Sequence, residues 1–164
     1  MTAGIDPTLP EVVRRFLASG GVLESIRLDA RGHWWHRGGA VENDRVLALF
    51  SRSVSRTPGG TWILQVGRFT YPIEVEDTPF FIASYRVDGE GEAEAITLTL
   101  RGGHTEILVA DTLRYDEGLG LSCAVFGGAF RARFLRDPYH RLVERLVEVE
   151  GGYALAVSGR QIRL

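Results

Sequence analysis

The sequence contains no lysine, because all nineteen of its basic residues are arginine. A Schiff base between a lysine amine and a carbonyl substrate is therefore excluded, and so is the lysine of a P-loop nucleotide site. The cation that remains is the guanidinium group, which stays charged and presents a planar fork suited to phosphate or carboxylate.

Cysteine is almost absent as well. Cys123 is single, so no internal disulfide can form, and a reducing, cytoplasmic location is expected. Because Cys123 lies in the apolar run LSCAVF, we expect a buried small side chain rather than a reactive thiol. The sequence also lacks a run of about 18 apolar residues and the basic, apolar start of a signal peptide, so neither a membrane span nor secretion is expected.

The chain has little excess charge of either sign. Its net charge is −2 and its pI about 6.1, which argues against nucleic acid or an anionic membrane as a partner. Motifs for nucleophilic hydrolysis, zinc peptidase activity and dinucleotide binding are missing. Hydrophobic residues make up 45% of the 164 residues, so we expect a packed core in one domain or two small ones.

Three segments combine an N-cap residue with an apolar stripe at helical spacing. The predicted caps are Thr8, Asn43 or Asp44, and Asp137. The second stripe extends to Val54, and the third includes Leu146 and Val147. Residues 61–126 instead alternate apolar with polar side chains between glycine-rich breaks, which predicts antiparallel strands and an α+β fold.

Two stretches that follow predicted helices share one pattern: a glycine pair, six further residues, and then Gly-Arg. GGTWILQVGR (59–68) and GGYALAVSGR (151–160) each follow a helix and predict a hairpin. We interpret the chain as two related strand–helix–hairpin units around antiparallel sheets, with residues 1–22 as a helical lead-in, 23–76 as the first unit and 77–164 as the larger, β-rich second unit. Arg68 and Arg160 would then occupy matching places. The alternative is chance alignment among 20 glycines.

Four stretches carry a resemblance to a known family: VEDTPF (75–80), GHWWHRGG, LALFS and DPYHRLVE. Together they resemble the bacterial family called domain of unknown function 1285, over residues 24–164. The resemblance implies a duplicated α+β fold whose second half is similar to pleckstrin-homology domains. It also implies a ligand, nucleotide-like or otherwise anionic, between the halves, and a role in signalling.

The family positions fall on particular residues of this sequence. The signature block matches at Glu76, Asp77, Pro79 and Phe80, and weaker positions match at Gly38, Phe50, Arg114, Arg136 and Tyr139. Two positions depart from the family pattern: VGRFTYP stands where a TPxEK-like stretch is expected, and Asn43 stands where an arginine is expected. If those groups contact the ligand of the family, this chain is expected to bind a different ligand or none.

Metal binding and catalysis are weakly indicated. His33 and His36 are three apart, so on a strand they point to opposite faces and do not share an ion; no metal and no cofactor are predicted. Glu74 and Glu76 share a strand face, whereas Asp77 before Thr-Pro is typical of a turn. No catalytic residue is assigned. A hydrolase or isomerase that uses Asp77 or Glu76 with a histidine is kept as an alternative, after the two hypotheses given next.

A non-enzymatic ligand-binding or sensory domain is the first hypothesis. Of the adjacent residues Trp34 and Trp35, one should be a core residue and the other should be free to stack on a ring of the ligand. Arginines are expected to hold an anion, and Arg131, Arg133 and Arg160 are further candidates for this role. The predicted site residues are Trp34, Trp35, Arg68, Asp77, Phe80, Arg114, Arg136 and Tyr139. The second hypothesis is a protein-interaction module that docks a partner through a sheet edge.

Overall fold

The computed structural model describes residues 4–164 and divides into two compact units, the first ending at Pro79 and the second running from Phe80 to Leu164. Both units mix helix with mainly antiparallel sheet, so the predicted α+β class is confirmed. Within the described residues, no helix is long and apolar enough to cross a bilayer.

From residue 4 onward, the first unit holds two helices and two small sheets. Its elements in chain order are α1 (Glu11–Ala18), β1 (Ile26–Leu28), β2 (Trp34–His36), β3 (Gly39–Ala40), α2 (Asp44–Ser53), β4 (Val54–Arg56), β5 (Trp62–Val66), β6 (Phe69–Pro72) and β7 (Glu74–Val75). One sheet has the order β3-β2-β1-β7, with β7 parallel to β1, and the other is the antiparallel meander β4-β5-β6.

The β1–β2 hairpin forms where the sequence predicts it. Its turn closes with a hydrogen bond from Gly32 N to Asp29 O of 3.1 Å, and Leu28 pairs with Trp34 across the ladder. Both of these side chains are fully buried. The alternation of the strand therefore sends Trp34 into the core of the first unit and its neighbour Trp35 to the opposite face.

The second unit is dominated by one large sheet. Its elements are β8 (Phe80–Asp88), β9 (Ala95–Leu100), β10 (Thr105–Ile107), β11 (Arg114–Asp116), β12 (Gly120–Val125), β13 (Phe130–Phe134), α3 (Arg136–Val143), β14 (Leu146–Val149), β15 (Gly152–Val157) and β16 (Arg160–Arg163). The six-stranded sheet has the order β10-β9-β8-β13-β12-β11, and β14-β15-β16 form a second antiparallel meander.

The core of the second unit includes the predicted buried cysteine. Cys123 on β12 has no exposed surface, and burial raises the pKa of its thiol to about 12. The expectation of a buried, small apolar role for this residue is therefore confirmed.

Only one of the predicted helix caps is correct. Asn43 caps α2, since its Oδ1 accepts hydrogen bonds from the backbone nitrogens of residues 45 and 46 at 3.0 and 3.2 Å. The cap position of α1 is Pro10 rather than Thr8, and that of α3 is Leu135, with Asp137 inside the first turn. Thr8 does not cap because its hydroxyl donates to Asp6 and accepts from Gly59 N.

The second and third helices are shorter than predicted. Val54 begins β4, and Leu146 and Val147 lie in β14 instead of continuing a helical stripe. These apolar residues fit the helical period and the strand period equally in so short a window, and pairing with β5 and β15 selects the strand.

The two units share an order of elements. In the first, the meander β1-β2-β3 precedes α2 and the meander β4-β5-β6 follows it; in the second, β11-β12-β13 precede α3 and β14-β15-β16 follow it. The remaining strands differ, because β7 pairs with β1 whereas β8 pairs with β13.

The glycine-marked hairpin of the first unit has a two-residue turn. Val66 pairs with Phe69, so Gly67 and Arg68 form the turn. Gly67 has φ of +59° and Arg68 does not have positive φ. Glycine at the first turn position followed by an ordinary residue is the pattern of a type II′ turn.

The corresponding hairpin of the second unit turns differently. Val157 pairs with Arg160, so Ser158 and Gly159 form the turn, with φ of +51° and +71°. Two positive φ angles are typical of a type I′ turn. The glycine therefore occupies the second turn position, and Arg160 is a strand residue whereas Arg68 is a turn residue. The prediction that these two arginines occupy matching places is wrong by one residue of register.

Candidate functional site

The two predicted tryptophans have different environments in the first unit. Trp34 is 1% exposed and packs edge-on against Phe50 at 5.2 Å between ring centroids. Trp35 is half-buried; its Nε1 donates to Asp29 Oδ2 at 3.0 Å, and the Arg27 guanidinium lies 5.5 Å from its ring. Trp34 is thus the core residue of the pair, and Trp35 is the one whose ring reaches the surface.

Other predicted residues of the first unit lie in turns or loops. Arg68 is exposed in the β5–β6 turn, and Asp77 is half-buried in the segment after β7. Beside it, the Glu76 carboxylate accepts from Arg27 Nη1 at 2.6 Å and from Ala30 N at 2.8 Å. Glu76 therefore ties β7 to the β1–β2 hairpin.

His33 and His36 each lie beside a carboxylate. His33 Nδ1 lies 3.2 Å from Asp29, and His36 Nε2 lies 3.0 Å from Glu24. Across residues 4–164, no three side chains of the metal-ligating types come together. The predicted separation of His33 and His36 is thus accompanied by a different acidic partner for each.

The arginines of β13 are bonded within the second unit. Arg131 donates to Ser122 Oγ and to Thr112 O, while Arg133 Nη1 donates to Asp116 Oδ2 at 2.9 Å and to Gly120 O. Burial, and then the nearby charge of Arg114, lowers the pKa of Arg131. Arg160, the other arginine considered, donates to Asp111.

Phe80, at the start of β8, belongs to an aromatic cluster. Its ring lies 4.9 Å from that of Phe126 and 5.2 Å from that of Phe130, and His104 stacks on Phe126 at 4.3 Å. Because Phe80 is almost completely buried, its contribution within the second unit is to packing.

Arg136 and Tyr139 lie together in a groove of the second unit. Two adjoining cavities, each of about 370 Å³, share Tyr115, Leu121 and Tyr139 as walls. We call them the apolar end and the arginine end of the tyrosine groove. The apolar end is completed by Val143, Leu146, Gly152, Tyr153 and Leu164, and the arginine end by Gly118, Leu119, Gly120, Phe134 and Arg136.

Strand alternation explains which side chains reach this groove. Tyr115 pairs with Leu121, while Arg114 pairs with Ser122, which pairs in turn with Arg133. Because successive residues of a strand face opposite sides, Tyr115 and Leu121 face the groove and the Arg114 row faces away. The predicted residue Arg114 is therefore adjacent in sequence to a groove residue but lies on the other face of the sheet.

The groove exposes aromatic surface to solvent. Tyr153 is 61% exposed and Tyr115 51% exposed, although both lie beside apolar walls. Tyr139, from α3, is half-buried between the two cavities and touches His140 with ring centroids 5.5 Å apart. Three phenol rings around one concave surface can stack on a planar ligand, and the exposed guanidinium of Arg136 can pair with an anion.

Sequence reasoning identified two of the groove residues and missed the rest. Arg136 and Tyr139 were selected because they match positions of the resembled family. Tyr115 and Tyr153 give a faint signal, an aromatic side chain within an otherwise polar strand end, which does not reveal a shared cavity. They come together because β11, α3 and β15 each contribute walls to the same cavity, and elements so far apart in the sequence meet only through long-range contacts.

Two crystal structures of DUF1285 family proteins are similar to this chain. The protein from Silicibacter pomeroyi DSS-3 has a TM-score of 0.65 and 22% identity, over 86% of this chain and 79% of that one. The protein from Shewanella baltica OS155 has a TM-score of 0.55 and 14% identity, over 74% of this chain and 92% of that one. No family model and no curated protein matches the sequence. The chain therefore has the fold of the DUF1285 family proteins, and the resemblance carried by its motifs is confirmed.

Proposed function

We propose that this protein is a non-enzymatic ligand-binding domain and that the tyrosine groove of its second unit is the binding site. The observation that carries the proposal is that Tyr115 and Tyr139 line two adjoining cavities, with Tyr153 in the wall of one and Arg136 in the wall of the other. Concave, mostly apolar sites with few polar groups are the usual form of small-molecule sites.

The residues around the groove support binding rather than chemistry. Its described walls are aromatic, aliphatic or glycine apart from Arg136. A general acid or base and an activated nucleophile are the usual equipment of a hydrolase or isomerase, and the side chains of these described walls include no carboxylate, imidazole, thiol or aliphatic hydroxyl for those roles. Glu76, proposed above as an alternative catalyst, is bonded to Arg27 in the first unit.

The finer expectations about the fold stay proposals. The shared order of three strands, a helix and three strands supports duplication of one ancestral unit. The pleckstrin-like second half, the signalling role, the cytoplasmic location and a ligand between the halves are implied by sequence or family resemblance and stay predictions.

Titration with 8-anilinonaphthalene-1-sulfonate tests the site, because this dye joins an aromatic body to one sulfonate. We expect one saturable site whose affinity falls about three- to tenfold in Tyr115→Ser and in Tyr153→Ser, as loss of an aromatic contact predicts. Phe69→Ser is the matched control, since Phe69 is an aromatic residue of the first unit that is 81% exposed. Equal affinities in all four proteins would reject the groove as the site.

A protein-docking function is the second candidate. Strand β11 ends the six-stranded sheet, and its Tyr115 is half-exposed, so a partner strand can add there. Native mass spectrometry of the protein purified from its own host separates the two functions. A retained small molecule supports the groove as a ligand site, whereas a stoichiometric polypeptide without a small molecule supports docking.

A further inference from the structure

We infer that the tyrosine groove selects aromatic monoanions, such as aryl carboxylates or sulfonates, over nucleotides and over neutral aromatic molecules. This inference rests on the proposed function and adds the ligand class. Its basis is the distribution of charge around the two cavities, which follows from the strand register of the second unit.

The groove offers a single cation. Among its described walls, Arg136 is the one residue with a charged side chain, and it lies at one end, beside Gly118, Leu119 and Gly120. The other walls shared with the apolar end are Tyr115, Leu121 and Tyr139. A ligand that spans both cavities therefore meets positive charge at one end and phenol or aliphatic groups along the rest of its length.

The other arginines of the sheet do not add to this charge. Arg114 and Arg133 belong to the cross-strand row through Ser122, on the face opposite Tyr115 and Leu121. Arg133 is also bonded to Asp116. Arg114 and Arg133, two of the arginines that the sequence suggested for a phosphate or carboxylate, are thus directed away from the groove.

One guanidinium matches one monoanionic group. Its planar fork forms two parallel hydrogen bonds with a carboxylate or a sulfonate. A nucleoside diphosphate carries further negative charges, for which the described walls offer no second cationic side chain. A neutral aromatic ligand would stack equally well but would leave the pairing capacity of Arg136 unused.

The test compares probes with one aromatic body and different charge. 8-Anilinonaphthalene-1-sulfonate and N-phenyl-1-naphthylamine differ by the sulfonate, and the fluorescent nucleotide mant-ADP represents polyphosphates. In the wild-type chain we expect the sulfonate to bind about three- to fivefold more tightly than the neutral dye, as for a partly exposed ion pair. Mant-ADP should bind more weakly than either dye.

Arg136→Gln should make the two dyes bind equally, with the neutral dye unaffected. Arg86→Gln is the matched control, because Arg86 is an exposed arginine of the second unit, on β8, that pairs with Asp88 and lies outside the groove lining. Circular dichroism verifies that both variants are folded.

The outcomes separate this inference from the proposed function. If Tyr115→Ser and Tyr153→Ser weaken both dyes but Arg136→Gln leaves their ratio unchanged, the groove binds ligands and the monoanion inference is wrong. Tighter binding of mant-ADP than of the sulfonate dye would likewise overturn it. If neither tyrosine variant affects either dye, the proposed function fails and the inference falls with it.

Discussion

The carboxylate of Asp6 accepts four hydrogen bonds from three threonines, and so joins the start of the described chain to the β4–β5 turn. Its donors are Thr8 N, Thr8 Oγ1, Thr57 Oγ1 and Thr61 Oγ1, at 2.5 to 2.8 Å. Gly59 belongs to the same contact, because a Cβ there would lie 2.0 Å from Asp6 Oδ1. The glycine pair Gly59-Gly60 thus serves a close approach as well as a turn.

This arrangement makes the stability of the first unit sensitive to acid. Hydrogen bonds from Thr57, then Thr61 and Thr8, lower the pKa of Asp6 below the value of about 3.9 expected in an unfolded chain. A carboxyl whose pKa is lower in the folded state stabilises that state above the unfolded pKa, and its contribution is lost as the pH falls further.

We therefore expect the thermal midpoint of the wild-type chain to fall more steeply than that of Asp6→Asn between about pH 4 and pH 2. At pH 7 the variant should be the less stable of the two, because an amide provides fewer acceptor sites to the three hydroxyls. Asp88→Asn serves as control, since Asp88 is an exposed carboxylate paired with Arg86. Tryptophan fluorescence is the suitable probe, since all three tryptophans precede Pro79. Parallel acid slopes for wild type and Asp6→Asn would contradict the role assigned to Asp6.

At the scale of elements, the turns decide the register of the two glycine-marked hairpins. Gly67 occupies the first position of its turn and Gly159 the second, although the surrounding letters align without a gap. Residues at equivalent positions of the two hairpin ladders, such as Ile63 and Ala154, are consequently 91 residues apart. The sequence alignment of the two glycine-marked stretches, which start at residues 59 and 151, gives a separation of 92 residues. Sequence spacing identified two hairpins but could not tell which turn type each adopts.

The β15–β16 turn is also held by its neighbours. A Cβ on Gly159 would lie 2.7 Å from the Cα of Glu92 and 2.8 Å from its nitrogen, within the 3₁₀ turn Gly91–Ala93. Next to it, Glu94 accepts from Ser158 N and pairs with Arg145 at 2.5 Å. The turn of the second meander is therefore packed against the β8–β9 connection.

Gly159→Ala should destabilise the second unit by about 2–4 kcal/mol, combining left-handed backbone strain with a collision against backbone atoms. Gly127→Ala isolates the strain, because Gly127 has a similar φ of +66° and nothing within 4 Å of its Cβ position. That control should cost about 1 kcal/mol. Urea unfolding followed by circular dichroism gives both values, and equal losses would show that the 3₁₀ turn yields to the added methyl.

The limits of sequence interpretation follow the same division between local and long-range contacts. The β1–β2 hairpin and the Asn43 cap were predictable, because turn chemistry and capping depend on neighbours in the chain. Strands β4 and β14 were not, because pairing partners decide between helix and strand there. The groove could be predicted only in part. Arg136 and Tyr139 match the family pattern, whereas Tyr115 faces the groove only because of the register of β11.

At the scale of the whole molecule, positive and negative charges nearly balance, whereas the charged side chain in the described walls of the groove is positive. Arginine is the only basic residue type besides four histidines, and the net charge of −2 at pH 7 reverses below the pI of about 6.1. An anionic dye attracted by the whole molecule would therefore bind more tightly in mild acid. A dye held by Arg136 would not, because guanidinium and phenol groups as classes titrate well above pH 8.

We accordingly expect the affinity for 8-anilinonaphthalene-1-sulfonate to change less than about twofold between pH 5.5 and pH 8, although the net charge of the chain changes sign in that interval. His140→Gln serves as a further control variant, since the His140 ring lies 5.5 Å from that of Tyr139 on α3. A steep rise in affinity toward pH 5.5 that persists in His140→Gln and in Arg136→Gln would mean that overall charge, and not the groove, attracts the dye.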